Sequence, residues 1–479
     1  MERFAELNST INGFVWGPVM LALLVGCGIY LSIRVGFIQF TRFGFAMKNT
    51  LGKIFKKQEA GEGEVTPLQA VTTALAATVG TGNIAGVTGA IIAGGPGAVF
   101  WMWLSALFGM VTKYSEVLLS VRYRERNEDG DWVGGPMYYI KNGLGDKWKW
   151  LGTLFCIFGA LAAFGIGNMT QVNTIASSIN SAIDAFGGNV EANSVALFGQ
   201  SVPVSSIVIG FILAILVAVV LLGGIKRIGS VTEKLVPVMA AIYIIASVIV
   251  VLANIKYIGP VFAMIFKGAF SAEAAIGGAY GIMLKTIIQK GIARGVFSNE
   301  AGLGSAPIAH AATSETNPVR QGLYGIFEVF MDTIVICTLT SLVVIIGTMN
   351  GSFEAEWGGS GGTPLVTASF GSVLGPKLGA LIVAVGITCF AFSTVLSWSL
   401  YGVRCFEFLF GNKASKIYKW VFVVVILFGA TLKMSLVWDI ADTLNGCMAL
   451  PNLVALFALS GVVIKLTKEF FGDKKNLED

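Results

Sequence analysis

The sequence predicts an all-α membrane protein: eleven transmembrane helices, a peripheral first span followed by two sets of five. Three observations carry that expectation. The chain of 479 residues is 55% hydrophobic and 13% charged, with a mean hydropathy of +0.76, whereas soluble domains carry about 25% charged residues. Apolar runs of about 20 residues, the length that crosses a bilayer, recur along most of the chain. Basic residues fall in alternate loops, as the positive-inside rule requires of a multi-pass protein.

The spans run over 15–38, 66–95, 98–121, 149–182, 203–224, 232–253, 275–312, 322–348, 375–409, 417–434 and 443–466. Several are longer than a crossing needs, which implies tilt, kinks or interfacial extensions. Segment 259–272 reads as a short interfacial helix. The polar stretches 122–148 and 349–374 are loop-sized, and Gly-rich 358–362 reads as a flexible external turn, so no soluble domain fits. The whole of 1–479 is one transmembrane domain: 1–64 hold the peripheral span and its loop, 65–255 the first repeat and 256–479 the second.

Orientation follows from the basic residues. Arg42, Lys48, Lys53, Lys56 and Lys57 follow the first span, and Arg122, Arg124, Arg126, Lys141, Lys147 and Lys149 the third. Lys226, Arg227 and Lys234 follow the fifth, Arg320 the seventh, and Arg404, Lys413, Lys416 and Lys419 the ninth, while the tail adds Lys465, Lys468, Lys474 and Lys475. The opposite loops, 183–202, 349–374 and 435–442, contain acids but no Lys or Arg, with Lys256 and Lys267 the exceptions on that side. This pattern puts the amino terminus outside and the carboxyl terminus in the cytoplasm of a cell-membrane protein. Met1–Gly13 is polar and lacks a basic n-region, so it does not read as a cleavable signal. The net charge of +5 is spread over short loops and is not a nucleic-acid footprint. Six cysteines, mostly in apolar runs without metal spacing, read as small core residues.

Within the second span, Val79-Gly80-Thr81-Gly82-Asn83 stands where a continuous helix would not place it. Glycine weakens a helix and lets backbone approach a ligand. Unwound backbone at membrane depth is tolerated only where protein or a water-filled cavity covers it. Such a break offers free N–H groups to a carboxylate and free carbonyls to a bare cation. A Gly face packed on a neighbouring helix is the plainer alternative. A midplane site built by an inverted repeat calls for a second break opening the other half, and Val296-Phe297-Ser298-Asn299-Glu300-Ala301-Gly302-Leu303-Gly304, followed by Ser305-Ala306-Pro307, supplies it. Each break opens a set of five crossings, 2–6 and 7–11.

Gly94-Gly95-Pro96-Gly97-Ala98-Val99-Phe100-Trp101-Met102-Trp103-Leu104-Ser105-Ala106-Leu107-Phe108-Gly109 resembles the signature of the alanine/glycine:cation symporter family. Phe297 to Pro307 is similar to that family's second fingerprint. The resemblance covers roughly the second to the ninth span. It implies sodium-coupled uptake of alanine or glycine on a leucine-transporter-like 5+5 inverted repeat, with no organic cofactor. Val79-Gly80-Thr81-Gly82-Asn83 also resembles the wider superfamily's first-helix V-G-L-G-N, and Phe297-Ser298-x-x-x-Gly302-x-Gly304 its F-[TS]-x-x-x-G-x-G. Ala391-Phe392-Ser393-Thr394 lies where its eighth core helix carries paired sodium-binding hydroxyls.

The resemblance then assigns residues. Gly80, Thr81 and Gly82 are expected to offer backbone N–H groups to a substrate carboxylate. Gln171 is expected as a substrate contact, although it and Asn173 equally suit interhelical hydrogen bonding. Phe297 and Gly302 would close the pocket around a small side chain, or Phe297 simply packs. For sodium, which needs several hard oxygens, the candidate set is the carbonyls of Ala76 and Val79 with the hydroxyls of Ser393 and Thr394. The alternative there is hydroxyls bonding their own helix carbonyls. A second cation site would use the Thr78 carbonyl, Asn83, Ser298 and Asp332. Glu300 and Asp332 are carboxylates at membrane depth, which is costly and functional by default. Glu300 departs from the wider pattern and would bind the substrate ammonium, bind a cation, or pair with a lysine such as Lys290. Glu328 and Glu116, nearer span ends, read as structural.

Two other classes fit less well. A channel would carry a repeated filter loop, and an enzyme a motif such as H-E-x-x-H, but His310 is the sole histidine. No Walker motif is present, so ATP is not the energy source. Among transporters, proton coupling through Glu300 or Asp332 is the second reading.

Overall fold

Caps and prolines open the helices that position the site. Thr66 and Gln69 cap each other's backbone amides at 3.1 Å, and Pro67 follows at the first helical position, where no N–H is needed. Asn317 caps the amides of Val319 and Arg320 ahead of another helix, again with proline at its start. The computed structural model describes residues 2–53, 60–61, 63–197, 199–271, 284–359, 361–432 and 435–478.

Among the described residues, nine helices are long and apolar enough to cross a membrane. A tenth crossing is the bent pair Pro67–Thr78 and Gly82–Gly94, whose halves meet at 49°. The start of the expected seventh span, 275–283, lies outside the described residues; its visible part is helix Leu284–Asn299, an irregular stretch, and the short helix Pro307–His310. The overlong spans resolve as expected into wide turns and kinks. Asp146–Ala185 runs for 40 residues, roughly 60 Å of helix against a hydrocarbon core of about 30 Å, and carries a π-helical turn at Gly165–Met169. Pro318–Met349 has a π-helical stretch at Phe330–Cys337, and the second half of the bent pair begins with one at Gly82–Gly86. Such turns widen the helix by one residue and recur at functional sites.

Most of the polar Met1–Gly13 stretch lies in the helix Glu2–Val15, which leads into Pro18–Val35. It is anchored on the last spans: Asn12 Nδ2 donates to Asp442 Oδ2 (2.9 Å) and Trp16 Nε1 to the Asp442 carbonyl (3.1 Å). Two expectations are corrected. The polar stretch 349–374 is not only a loop, since it contains the helix Thr363–Leu374, which packs against Pro376–Phe410. The fold is mostly helical, and the short hairpins Glu125–Arg126/Trp132–Val133 and Ser194–Leu197/Gln200–Pro203 occupy two of the loops. The last span starts earlier and stops earlier than expected, as Ser435–Ala458, with a separate helix Ser460–Gly472 after it. The expected interfacial helix is present as Ile258–Gly268.

The core lies where the broken helices meet the spans packed on them. The outer faces of Val204–Leu221 and Gly224–Ala253 instead expose Phe211, Ile212, Ile215 and Ile245. A contiguous apolar face of that size on a soluble protein would aggregate, but it suits lipid.

Candidate functional site

The first helix stops because Val79 leaves helical geometry (φ −81°, ψ 85°) just before the glycines. Asn83 Oδ1 accepts from the Gly80 N–H at 2.9 Å, so the break is tied by its own asparagine. Of the three amides expected for a carboxylate, Gly80 is therefore already partnered; Thr81 and Gly82 open the second half, where a helix offers no carbonyls to its first N–H groups. The Thr81 hydroxyl donates to Gln171 Oε1 (3.1 Å). Gln171 in turn donates to the Ile166 carbonyl (3.0 Å), freed by the π-helical turn of its own span. Asn173 bonds the carbonyls of Gly429 and Leu432 across to the neighbouring helix.

Thr81, Gly82 and Gln171 line a cavity of about 330 Å³ together with Phe297, Arg294 and Asp442. The Phe297 ring faces Gly82, where an added Cβ would lie 3.6 Å from it. The Arg294 guanidinium stacks 4.7 Å above that ring and would have to shift to admit a side chain at Gly86. Arg294, Phe297 and Asp442 also border a second cavity of about 410 Å³, lined by Trp16, Lys290, Gly359 and Gly361. Those three side chains are thus the partition between two cavities.

Behind the first break, the Ala76 carbonyl accepts from Thr394 Oγ1 at 3.0 Å and Ser393 Oγ at 3.3 Å. Both hydroxyls also reach the Phe390 carbonyl of their own helix (3.0 and 2.8 Å), so the helix-local alternative and the cross-helix contact hold at once. An added Cβ on Gly80 would lie 2.6 Å from Thr394 Oγ1, which is why only glycine fits. Three of the four groups expected around one cation, Ala76, Ser393 and Thr394, are therefore together, with Val79 three residues on from Ala76.

Three members of the second expected set, Asn83, Ser298 and Asp332, also come together. Asp332 sits in the π-helical stretch, fully buried, and accepts from Asn83 Nδ2 (2.6 Å), Ser298 Oγ (2.9 Å) and Thr333 Oγ1 (2.7 Å). One carboxylate thereby joins both breaks. Thr78 closes the first half-helix nearby, its hydroxyl turned back to Ala74 and Leu75.

Glu300 and Gly302 do not line the cavity. Glu300 takes a left-handed conformation (φ 55°) and its carboxylate accepts from Trp398 Nε1 (3.1 Å) and the Ser305 hydroxyl, not from Lys290. Gly302 (φ 92°) packs on the first span, where a Cβ would meet Leu24 Cδ2 at 2.5 Å. Its N–H donates to Glu116 Oε1 and its carbonyl accepts from Asn452. The sequence reading missed Arg294, Asp442, Thr333 and Cys337. A lone arginine inside an expected span is a signal for the first; Thr333 and Cys337 gain meaning only from the fold, through contacts with Asp332, Ser298 and Asn83.

Residues 1–479 match the model of the sodium:alanine symporter family. The chain is 48% identical over 475 residues to the sodium/alanine symporter AgcS of Methanococcus maripaludis, covering 99% of this chain and 98% of that one. It is 36% identical over 479 residues to the amino-acid carrier protein AlsT of Bacillus subtilis, covering 99% and 94%. Among solved structures, MhsT in complex with L-phenylalanine shares the fold, with a TM-score of 0.57 at 15% identity over 86% of this chain and 99% of that one. A multi-pass helical protein with a cavity at its first break, matched from end to end, belongs to the sodium:alanine symporter family and is a transporter rather than an enzyme.

Proposed function

We propose that the protein is a secondary active symporter that takes up alanine, glycine or both together with sodium, by alternating access on a leucine-transporter-like 5+5 inverted repeat. The observation that carries the reading is the contact of the Ala76 carbonyl with Ser393 and Thr394 directly behind the cavity that Thr81 and Gly82 line. Sodium between them joins the first break to the helix Pro376–Phe410, and ion and amino acid then raise each other's affinity equally. The substrate carboxylate sits on the amides of Thr81 and Gly82, beside Gln171, with Phe297 over the small side chain. The Asp332 cluster, with Asn83, Ser298 and Thr78, is the second cation site. The name and 48% identity of AgcS support sodium and alanine; the likeness to MhsT supports the architecture. Eleven crossings, repeats over spans 2–6 and 7–11, and an external amino terminus in the cell membrane complete the reading.

Uptake of labelled alanine into proteoliposomes, with sodium and proton gradients imposed separately, tests it. Accumulation is expected with the sodium gradient alone. Accumulation driven by protons alone would replace it with proton coupling, the second reading, which the buried Asp332 favours. Propionate and ethylamine, each lacking one charged group of alanine, are expected not to compete, because either loss leaves buried polar groups unpaired.

A further inference from the structure

Beneath the second break lies a buried charged cluster that the sodium-coupled reading does not use. Lys113 and Glu116 stand one turn apart on Ala98–Arg122, both fully buried. Lys113 Nζ is 3.4 Å from Glu328 Oε1, within ion-pair range but without hydrogen-bond geometry. Glu328 Oε2 meets His310 Nε2 at 3.2 Å, and His310 Nδ1 meets Gln321 Nε2 at 2.8 Å. The Thr313 hydroxyl donates to Gln321 Oε1 (3.0 Å), which turns the amide nitrogen toward the ring. Nδ1 then accepts from the Gln321 amide and Nε2 donates to Glu328 Oε2. Lys113 is left as one positive charge against three carboxylates, Glu116, Glu300 and Glu328, and both Lys113 and Glu328 lie within electrostatic reach of the other two acids.

Burying unbalanced charge is costly, and a group so placed takes up a proton instead. The three acids differ in how well they are solvated by the protein. Both oxygens of Glu300 accept, from Trp398 and Ser305. Glu328 has His310 and Lys113. Glu116 receives both of its donors, Gly302 N–H (3.1 Å) and Asn452 Nδ2, on Oε1, and Oε2 has no partner. The other titratable groups facing it, Tyr139 on the short helix Pro136–Tyr139 and Cys27 on the first span, are neutral at physiological pH. A metal ion is a poor occupant, since among the described residues no three His, Cys, Asp or Glu side chains are arranged to hold one.

We propose that Glu116 is a proton-binding site, holding an exchangeable proton on Oε2. The same carboxylate holds Gly302, and a charged acceptor binds an N–H roughly twice as strongly as a neutral one. Proton occupancy therefore sets how firmly the unwound segment 300–306 is held against Ala98–Arg122. This goes beyond the sodium-coupled reading and does not depend on it.

The test reads the proton directly. Infrared difference spectra of the full-length protein in liposomes, titrated with pH in sodium-free and in sodium-containing buffer, are expected to contain the carbonyl stretch of a protonated carboxylic acid that disappears as pH rises. Glu116→Gln is expected to abolish that band and Glu300→Gln to retain it. Asn452→Leu, which removes one donor from Oε1, is expected to keep the band to higher pH, and serves if Glu116→Gln does not fold. A wild type with no titrating band, a band that survives Glu116→Gln, or an Asn452→Leu titration identical to the wild type would overturn the proposal. A band displaced by sodium at fixed pH would overturn it in favour of a metal-ion site.

Discussion

At the scale of single residues, the first break was legible and the second was half legible. Gly80 must be glycine because Thr394 Oγ1 lies where its Cβ would be, and the cluster of glycines in an apolar run announced as much. The hydroxyls of Ser393 and Thr394 carry the clearest prediction. Removing both deletes two oxygens from a dehydrated ion, each worth about 1–3 kcal/mol. Ser393→Ala/Thr394→Ala is therefore expected to raise the sodium concentration for half-maximal uptake by about tenfold or more, read as a sodium titration of alanine uptake; an unchanged titration would move the ion elsewhere. Gly302 was misread as a pocket wall. It is glycine because its left-handed backbone and Leu24 leave no room for a side chain, so Gly302→Val is expected to lower the thermal midpoint of the solubilised protein. Lost alanine binding at an unchanged midpoint would return Gly302 to the pocket. Asp442 was overlooked because nothing in a linear sequence says that it faces one cavity with Arg294.

Among the elements, the spans were legible because lipid imposes length and apolarity on each of them. What the bilayer does not impose was not legible. Thr363–Leu374 has only twelve residues, about 18 Å of helix, too short to register as a crossing, and the helix Glu2–Val15 is stabilised by Asp442, more than four hundred residues away. The contact between Leu284–Asn299 and Ala98–Arg122 is set by small residues one turn apart. An added Cβ would lie 2.3 Å from the Ala98 carbonyl oxygen at Gly291, and 2.1 Å from Ser105 Oγ at Gly295. Close helix approach of this kind is the usual driving force in membranes. Gly295→Leu is expected to destabilise the fold by about 1–3 kcal/mol, the cost of overpacking, visible as a lower thermal midpoint in detergent. An unchanged midpoint would show that the two helices have slack.

For the whole molecule, the alternation of basic loops predicts which side each hairpin faces. Ser194, in the hairpin Ser194–Leu197/Gln200–Pro203, belongs outside, and exposed Lys413 belongs in the cytoplasm. A cysteine at Ser194 is expected to react with an impermeant thiol reagent added to intact cells, and one at Lys413 only after permeabilisation. The native cysteines interfere little, five being buried and Cys389 half-buried. The reverse labelling would invert the orientation. One further consequence comes from the helix Pro376–Phe410, which has no internal proline along its 35 residues. It carries Ser393 and Thr394 near its centre. About 15 Å farther along it carries Arg404, bound to Asp131 of the hairpin loop and to Glu407 at 2.7 Å each, while Glu407 holds Asn127 at 2.7 Å. The helix thus carries an ionic latch at one end and the hydroxyls of the proposed sodium site partway along. A tilt that carried Thr394 away from Ala76 would load the Arg404–Asp131 contact, so the small loop 123–135 is placed to act as a stop for that movement.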